Sequence, residues 1–321
     1  MGDTTIEWTE ATWNPVTGCS KISPGCAHCY AEGVADRFWA TQYPWVSRPS
    51  ATGGPSADHD VAERPRRFTD VWCHPERLDQ PLRRRKPTTY FVNSMSDLFH
   101  EDVPAVFIAD VFATMAKAGR HTFQVLTKRP ARMRELLSDP PPGVVWPLPN
   151  VWLGVSVESQ RYADERIPIL LDTPAALRFI SAEPLLGPVV LKQQNPDGFW
   201  PPNAPQPDRA WLRHKDWPDD FGYWTTGLDW VIVGLESGAG ARPGEIDWIR
   251  ALVRQCQAGL VPVFVKQLGA NPQHRLVYGP ITFEPDQPVH VERLRLRSRK
   301  GGDPAEWPED LRIREYPRPR T

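Results

Sequence analysis

Residues 89–126 read TYFVNSMSDLFHEDVPAVFIADVFATMAKAGRHTFQVL, and this stretch decides the fold class. It begins with the apolar run Thr89–Val92 and ends with a second such run, Thr122–Leu126. Neither run alternates between apolar and polar residues, which is typical of strands that are buried on both faces of a parallel sheet. Between them, apolar residues recur every four positions over residues 103–118, which predicts a helix. The stretch therefore predicts one strand–helix–strand unit.

The sequence also predicts where this helix begins and ends. Asp102 can cap its amino end, Pro104 is expected in its first turn, and Gly119 ends it. Further helices are expected near residues 31–39, 131–138, 160–171 and 244–258.

Similar apolar runs recur along the rest of the chain. They are Val151–Val155, Leu177–Ile180, Asp229–Val233 and Val261–Val265, with Trp13–Thr17 as a seventh candidate strand. Successive strand starts from residue 89 onward are 26 to 33 residues apart, with one gap of 52, and about 30 residues make one βα unit. We therefore expect an α/β fold, a full or partial (β/α) barrel of six to seven parallel strands. An open doubly wound sheet is the alternative, because βα periodicity alone does not separate the two.

Composition limits the classes of protein to be considered. The chain has 321 residues, and 38 Lys plus Arg against 39 Asp plus Glu leave a net charge of −1. This balance excludes a grossly basic nucleic-acid binder and an acidic-tail protein, although it allows a local basic patch. The 36 prolines indicate many loops between short elements. We expect a single barrel-type domain over residues 1–321, with a basic, Pro-rich insertion at 40–87, a Pro/Trp-rich insertion at 192–226 and a C-terminal extension at 275–321.

The sequence predicts a cytoplasmic protein without a membrane partner. No apolar run approaches the ~18 residues that a membrane span needs. The amino-terminal stretch MGDTTIEWTE lacks the basic start and apolar core of a secretory signal. The five cysteines are an odd number, which argues against a disulfide framework.

Three of the cysteines lie together in the stretch GCSKISPGCAHCYA, residues 18–31, with the spacing C-x6-C-x2-C. Three thiolates in a Gly/Pro-rich loop suit a soft metal or a [4Fe–4S] cluster, and three ligands leave one iron open to a substrate or S-adenosylmethionine. Cys19, Cys26 and Cys29 are therefore the candidate metal ligands. Zinc would need a fourth ligand, and His28, between two of the thiols, is poorly placed to complete the same tetrahedron. Three unconnected reduced thiols are the remaining alternative.

Each of the six apolar runs from Thr89–Val92 onward is followed by polar residues. In parallel α/β folds the carboxyl ends of the strands meet on one face, where ligands bind. Three of these residues are our substrate-side catalytic candidates, because a lysine there can hold a phosphate or act as an acid or base. The candidates are Lys128, Glu236 and Lys266. An ordinary salt bridge at the rim of the barrel is the alternative for each.

A cysteine loop followed by a series of βα units is the order found in radical S-adenosylmethionine enzymes, whose usual spacing is C-x3-C-x2-C. This chain has three more residues in the first gap and keeps the closing C-x2-C. The chain also resembles a phage-protein family, domain of unknown function 5131, over about residues 6–318. The blocks that carry this resemblance include TWNPVTGCSKISPGCAHCYAE, FVNSMSDLF, HTFQVLTKRPARM, NVWLGVSVES, RFISAEPLLGPV, LDWVIVGLESG, VFVKQLG and KGGDPAEWPEDLRIREYP.

The resemblance implies a radical S-adenosylmethionine type of enzyme. Such an enzyme has a [4Fe–4S] cluster that reductively cleaves S-adenosylmethionine to a 5′-deoxyadenosyl radical, and an electron donor such as a flavodoxin or ferredoxin. The amino-binding motif of such enzymes would fall at Asn93, Ser94 and Asp97, although no Gly-Gly-Glu motif is present. The remaining cofactor-binding candidates are Ser156, Glu158 and Glu183 for the ribose or amino group and His28 or Tyr30 for the adenine.

Two basic stretches bear on the substrate. Residues 64–86 carry eight Lys or Arg, and a second stretch covers residues 293–300. Both can be solvated faces or can contact nucleic-acid phosphates. The expected substrate is therefore a nucleic acid or a nucleotide. Two other functions stay open: a zinc-stabilised, phage-type nucleic-acid-binding protein, and a cluster protein that transfers electrons or senses without cleaving the cofactor.

Overall fold

The computed structural model describes residues 2–42, 65–138, 146–191, 211–212, 227–277 and 289–317. Much of the expected insertions at 40–87 and 192–226, and part of the extension at 275–321, lie outside the described residues. The chain divides into two compact units. The first comprises Met1–Val155 and Asp172–Arg178, and the second comprises Ser156–Leu171 and Phe179–Pro319.

The described residues of the first unit form seven strands and four α-helices. The strands are β1 (Gly2–Asp3), β2 (Ala11–Trp13), β3 (Val16–Thr17), β4 (Trp72–Cys73), β5 (Thr89–Val92), β6 (Thr122–Thr127) and β7 (Val151–Ser156). The helices are α1 (Tyr30–Gln42), α2 (Gln80–Arg83), α3 (Ala105–Lys117) and α4 (Pro130–Leu137).

The sheet of the first unit is ordered β1-β2-β5-β6-β7. Strands β2, β5, β6 and β7 are parallel, and the short β1 adds an antiparallel edge. Tyr90 and Phe123 are paired across β5 and β6, and both side chains are fully buried. The continuous apolar runs seen in the sequence therefore correspond to strands covered on both faces.

The second unit contains the remaining elements. They are α5 (Gln160–Asp172), β8 (Leu177–Ala182), β9 (Trp230–Gly234), β10 (Gly244–Glu245), α6 (Ile246–Ala258), β11 (Val263–Gln267), β12 (Pro272–Val277) and β13 (Val289–Arg293). Strands β8, β9 and β11 are adjacent and parallel. A separate three-stranded sheet has the order β10-β12-β13.

The fold class is confirmed. In the described part of each unit the parallel strands follow one another in chain order, without the reversal of strand order that marks a doubly wound sheet. The units supply seven parallel strands with helices between most neighbours, as in a partial (β/α) barrel. All six apolar runs from Thr89 onward form strands, with ends within two residues of those expected.

One predicted helix begins later than expected. Helix α3 starts at Ala105, and Pro104 lies at its N-cap position with extended backbone angles of φ −60° and ψ 139°. Asp102 therefore does not cap the helix. The guanidinium of Arg132 donates to the carbonyl oxygens of His100 and Val103, which satisfies backbone acceptors in the loop before the helix.

The seventh candidate strand, Trp13–Thr17, is divided in two. Only β2, which ends at Trp13, joins the parallel sheet. After Asn14 and Pro15 the chain forms β3, which pairs antiparallel with β4. No helix in the described part of the chain is both long and apolar enough to cross a membrane.

Candidate functional site

The cysteine loop begins at a backbone position that only glycine fits. Gly18 has φ +94°, and a Cβ atom there would lie 2.3 Å from the carbonyl oxygen of Asp70. Its N–H donates to the carbonyl oxygen of Met95 at 3.0 Å, just past β5. The N–H of Cys19 donates to the carbonyl oxygen of Phe68 at 2.9 Å. These contacts place Cys19 beside the carboxyl end of β5.

Arg66 holds the other side of this turn. Its guanidinium donates to the carbonyl oxygen and the hydroxyl of Thr17, at 3.0 and 2.7 Å. The same group lies 3.8 Å from the ring centroid of Trp39 and 4.1 Å from that of Trp72. Cation–π contacts at buried sites of this kind contribute about 2 kcal/mol. Arg66 thus links α1 and β4 to the residue that precedes the cysteine loop.

The three cysteines of the motif are free and half-buried. Cys26 ends a 3-10 turn, Pro24–Cys26, and Cys29 directly precedes α1. Cys19 and Cys29 both pack against the same apolar cluster, which consists of Ala31, Ala35, Trp39 and Phe68. The pKa of Lys21 is raised, chiefly by its ion pair with Glu32 at 2.7 Å. The charges of Cys26 and Cys29 raise it further, so both thiols lie near Lys21. The thiols therefore share one local environment.

Arg129 is the centre of the polar network beside Cys19. Its side chain is only 9% exposed, and it follows β6 at the start of α4. One guanidinium nitrogen lies 3.7 Å from the sulfur of Cys19 and 3.4 Å from a carboxylate oxygen of Asp97. Other nitrogens donate to Glu101 at 2.9 Å and to the hydroxyl of Ser20 at 2.8 Å. The guanidinium thus links the cysteine loop to the ends of β5 and β6.

Asp97 holds this network together from the protein interior. Its Oδ1 accepts from the hydroxyl of Thr127 at 2.7 Å and the N–H of Phe99 at 3.0 Å. Its Oδ2 accepts from the N–H of Lys128 at 3.0 Å and faces Arg129. A buried carboxylate is stable there because both oxygens have donors and a cation is adjacent.

The cysteines differ in their tendency to ionise. Burial, with a smaller contribution from Asp97, raises the pKa of Cys19 to about 11, although Arg129 opposes the shift. Burial would also raise the pKa of Cys26, but Lys128 and hydrogen bonds from Ser23 and the Ile22 backbone outweigh it, so this pKa lies below its usual value. Cys26 is therefore the better thiolate of the two.

The predicted cofactor residues of the first unit occupy different environments. His28 is exposed. The hydroxyl of Tyr30 donates to the carbonyl oxygen of Ser94, so these two are in contact. Asn93 is buried in a left-handed conformation, with φ 61°, and its side-chain oxygen accepts from the N–H of Val16 at 3.2 Å. Tyr30 and Ser94 thus border the cysteine loop, whereas Asn93 supports the backbone beneath it.

Of the other predicted residues, Lys128 lies in the first unit, where its backbone N–H donates to Asp97 at 3.0 Å, and the rest lie in the second unit. Two of the latter, Ser156 and Glu158, are buried near the end of β7. Glu158 is fully buried and forms an ion pair with Arg166 at 3.0 Å. Arg166 also donates to the carbonyl oxygen of Ser156 at 2.9 Å. Removing one partner of such a pair typically costs about 3–5 kcal/mol, which indicates that Glu158 supports the fold.

Two further carboxylates of the second unit form ion pairs with basic side chains at strand ends. Glu183 accepts from Lys266 at 2.6 Å and from the amide of Gln267 at 3.1 Å, so it joins the ends of β8 and β11. Glu236 lies just past β9 and forms an ion pair with Arg242. Its Oε2 accepts from the backbone N–H of Arg242 at 2.8 Å and from the Nε of the same residue at 2.9 Å. These pairs bring predicted residues into contact and place polar groups at the carboxyl ends of the parallel strands.

Several residues of these networks were not among the predicted site residues. Arg129 follows Lys128 in the run that ends β6, and its position there was the available signal. Arg166 and Arg242 pair with predicted carboxylates, but their spacing from them, 8 and 6 residues, has no distinctive pattern. Ser20 and His100, whose side chains meet at 2.7 Å, are 80 residues apart.

The chemistry of the donor set fits a thiolate-bound metal centre, since three free thiols lie on one loop with Lys21, Lys128 and Arg129 around them. Among the described residues, no group of three or more His, Cys, Asp or Glu side chains is arranged so that it could hold a metal ion. The loop therefore supplies suitable ligands, which must draw together to bind a metal.

Comparisons with known proteins give one family. A search of curated proteins and a search of solved structures each return no match. The family described as protein of unknown function (DUF5131) matches residues 3–302, which covers the cysteine loop, all seven parallel strands and the charged strand ends. Because this match spans most of the chain, the protein belongs to the DUF5131 family.

Proposed function

We propose that this protein is an iron–sulfur enzyme of the radical S-adenosylmethionine type, acting on a nucleic acid or a nucleotide. The observation that carries the proposal is the environment of the cysteine loop. Three free thiols lie on one short loop that is hydrogen-bonded to the carboxyl ends of parallel strands in the first unit. This is the end of a (β/α) fold at which ligands bind.

The residues around the thiols favour a cluster with thiolate ligands. Cys19, Cys26 and Cys29 would hold three irons, and the positive charges of Lys21, Lys128 and Arg129 would offset the negative charge of the thiolates. Charged groups next to metal ligands tune the metal site and are typically important for its affinity. When bound, the cluster would supply the electron that cleaves the S–C bond of S-adenosylmethionine.

The chain's own residues would bind and orient the cofactor. Tyr30 and Ser94 are in contact beside the cysteine loop, and neither is buried, so they are the predicted residues best placed to contact the cofactor. Asp97 stays in its structural role, because its oxygens are already used by Thr127, Phe99, Lys128 and Arg129. It would act through Arg129 rather than by touching the cofactor.

The substrate-side candidates remain Lys128, Glu236 and Lys266, each at or just past the end of a parallel strand. Lys266 is paired with Glu183, and a proton or a phosphate oxygen can replace one partner in such a half-buried pair. Glu236 and Arg242 form a second ion pair in which a substrate group could replace one partner. A reductase partner such as a flavodoxin or ferredoxin would donate the electron.

The deciding experiment is anaerobic purification of the full chain with iron, sulfide and zinc measured together. We expect about four irons and four sulfides per chain, as in a cubane cluster, with visible absorbance that bleaches on reduction. 5′-Deoxyadenosine should then form from S-adenosylmethionine under reducing conditions. Zinc without iron, even after iron–sulfur reconstitution, would contradict the proposal and favour a zinc-stabilised nucleic-acid-binding protein.

A pair of matched variants tests the ligand assignment. Cys26→Ala should abolish cluster binding, whereas Cys73→Ala should retain it. Cys73 is a suitable control because it is also free and half-buried but lies in β4, outside the motif. Equal loss of iron in both variants would show that the motif does not hold the cluster.

A further inference from the structure

A cavity of about 870 Å³ lies in the second unit beside the sheet of β12 and β13. One wall consists of Gly269 and Ala270, which follow β11, and the other is the run that leaves β13. The N–H of Ala270 donates to the carbonyl oxygen of Glu236 at 2.9 Å, so the cavity borders the strand end that carries Glu236. No residue of the cysteine loop lines it.

The run that follows β13 alternates between exposed arginines and half-buried residues, which gives it a basic edge. Arginines at positions 293, 295, 297 and 299 are exposed, and the residues between them, Leu294, Leu296 and Ser298, are half-buried. Leu294 is tied back by its N–H, which donates to the carbonyl oxygen of Pro272 at 2.9 Å. The leucines therefore anchor the run, and the arginines project from it.

Within the described part of the chain, most of the charge on this edge is not neutralised. Arg297 forms an ion pair with Glu306 at 3.1 Å, and Arg297 does not line the cavity. Arg293 lines the cavity and donates to the carbonyl oxygen of Ala270 at 3.3 Å. Arg295 and Arg299 also line it, and neither forms an ion pair within the described part of the chain. Glu292 is the one acidic residue among the described lining residues.

The shape and charge of the cavity fit a chain of phosphates. Guanidinium groups bind phosphate oxygens through two parallel hydrogen bonds. Arg293 and Arg295 alternate where β13 ends, which in extended chain is a separation of about 6.6 Å, and Arg299 lies in the turn that follows, between Ser298 and Gly301. A linear polyanion matches this spread of charge better than a single phosphate does. The overall charge of −1 makes the basic edge a local feature.

We propose that this cavity binds the sugar–phosphate backbone of a single-stranded nucleic acid through Arg293, Arg295 and Arg299. The binding does not depend on the cysteine loop. Its interpretation as a substrate-binding site rests on the proposed function, because the cavity borders the Glu236 strand end.

The test uses the full-length protein and fluorescence anisotropy with labelled oligo-dT and oligo-rU of equal length, over a series of salt concentrations. The variant is Arg295→Gln with Arg299→Gln. Each lost phosphate contact lowers the slope of log K against log salt by about 0.7 for a single strand, so we expect a slope shallower by about 1.4. The control is Arg120→Gln with Arg254→Gln, which removes two exposed charges outside the cavity and should leave the slope unchanged.

Three results would overturn the inference. The wild-type chain could fail to bind either oligonucleotide, or the double variant could keep the wild-type slope while its circular dichroism shows a folded protein. Polyaspartate could also compete as well as an oligonucleotide of equal charge, which would indicate an acidic peptide as the occupant. Iron is measured in the same preparations, so loss of oligonucleotide binding with iron retained affects this inference alone. Oligonucleotide binding without iron contradicts only the proposed function.

Discussion

Replacing Asp97 with asparagine should open the region that holds Arg129 beside Cys19. The carboxylate is only 8% exposed and accepts hydrogen bonds from Thr127, Phe99 and Lys128. Asparagine keeps one acceptor oxygen, but its NH₂ group would face the donors of Lys128 and Arg129. A buried donor left without an acceptor costs about 1–3 kcal/mol, and a broken buried ion pair costs about 3–5 kcal/mol.

The expected loss is about 2–4 kcal/mol, since Arg129 keeps Glu101 and Ser20 as partners. Hydrogen exchange followed by mass spectrometry is the suitable assay, because the amides of Phe99 and Lys128 donate directly to Asp97 and report local opening. At a factor of ten per 1.4 kcal/mol, their exchange should accelerate roughly 30- to 700-fold.

Asp102→Asn is the matched control. Its carboxylate is 67% exposed and lies 3.8 Å from His100, so its loss should change stability by less than about 0.5 kcal/mol. If Asp97→Asn accelerated exchange of these amides no more than this control does, the carboxylate would not be what joins the ends of β5 and β6. The assigned position of Arg129 would then lack its support.

Three further predictions follow from the same contacts. In a cluster-loaded chain, Arg129→Met should lower the reduction potential of the cluster by about 60 mV, because a charge-assisted hydrogen bond to the sulfur of Cys19 is lost. A redox titration measures this, and an unchanged potential would refute the contact. In the metal-free, reduced chain, iodoacetamide should modify Cys26 at least about 10-fold faster than Cys19 by peptide mass spectrometry, since the pKa of Cys19 is about 11 and the greater nucleophilicity of its thiolate only partly compensates. Similar rates would contradict the assigned environments. Burial, aided by Arg77, lowers the pKa of His74 from 6.5 to about 4, so the unfolded state binds the extra proton and stability falls as the pH drops through this range. The exchange protection around the Thr17 turn should therefore decrease by about 1.6 kcal/mol from pH 6.5 to 5, and His74→Asn should flatten this dependence.

The sequence alone determined the six parallel strands from Thr89 onward and the α/β class of the fold. The runs at β5 and β6 are apolar without alternation because both faces of a central parallel strand are covered, and burial of this kind is visible in a few neighbouring residues. The spacing of the cysteines was equally visible, since all three lie on one loop. Local signals failed where a distant group intervened: β3 leaves the parallel sheet to pair with β4, and Arg132 satisfies the carbonyls ahead of α3.

Only the tertiary structure decided which charged groups meet. Arg129 lies 3.7 Å from a sulfur atom 110 residues away, and Lys266 lies 2.6 Å from a carboxylate 83 residues away. Sequence reasoning selected Lys128 as a substrate-side candidate, whereas the side chain of its neighbour Arg129 reaches the cysteine loop. The physical reason is that periodicity records whether a residue is buried, while the partner of an ionisable group depends on which strand ends the fold brings together.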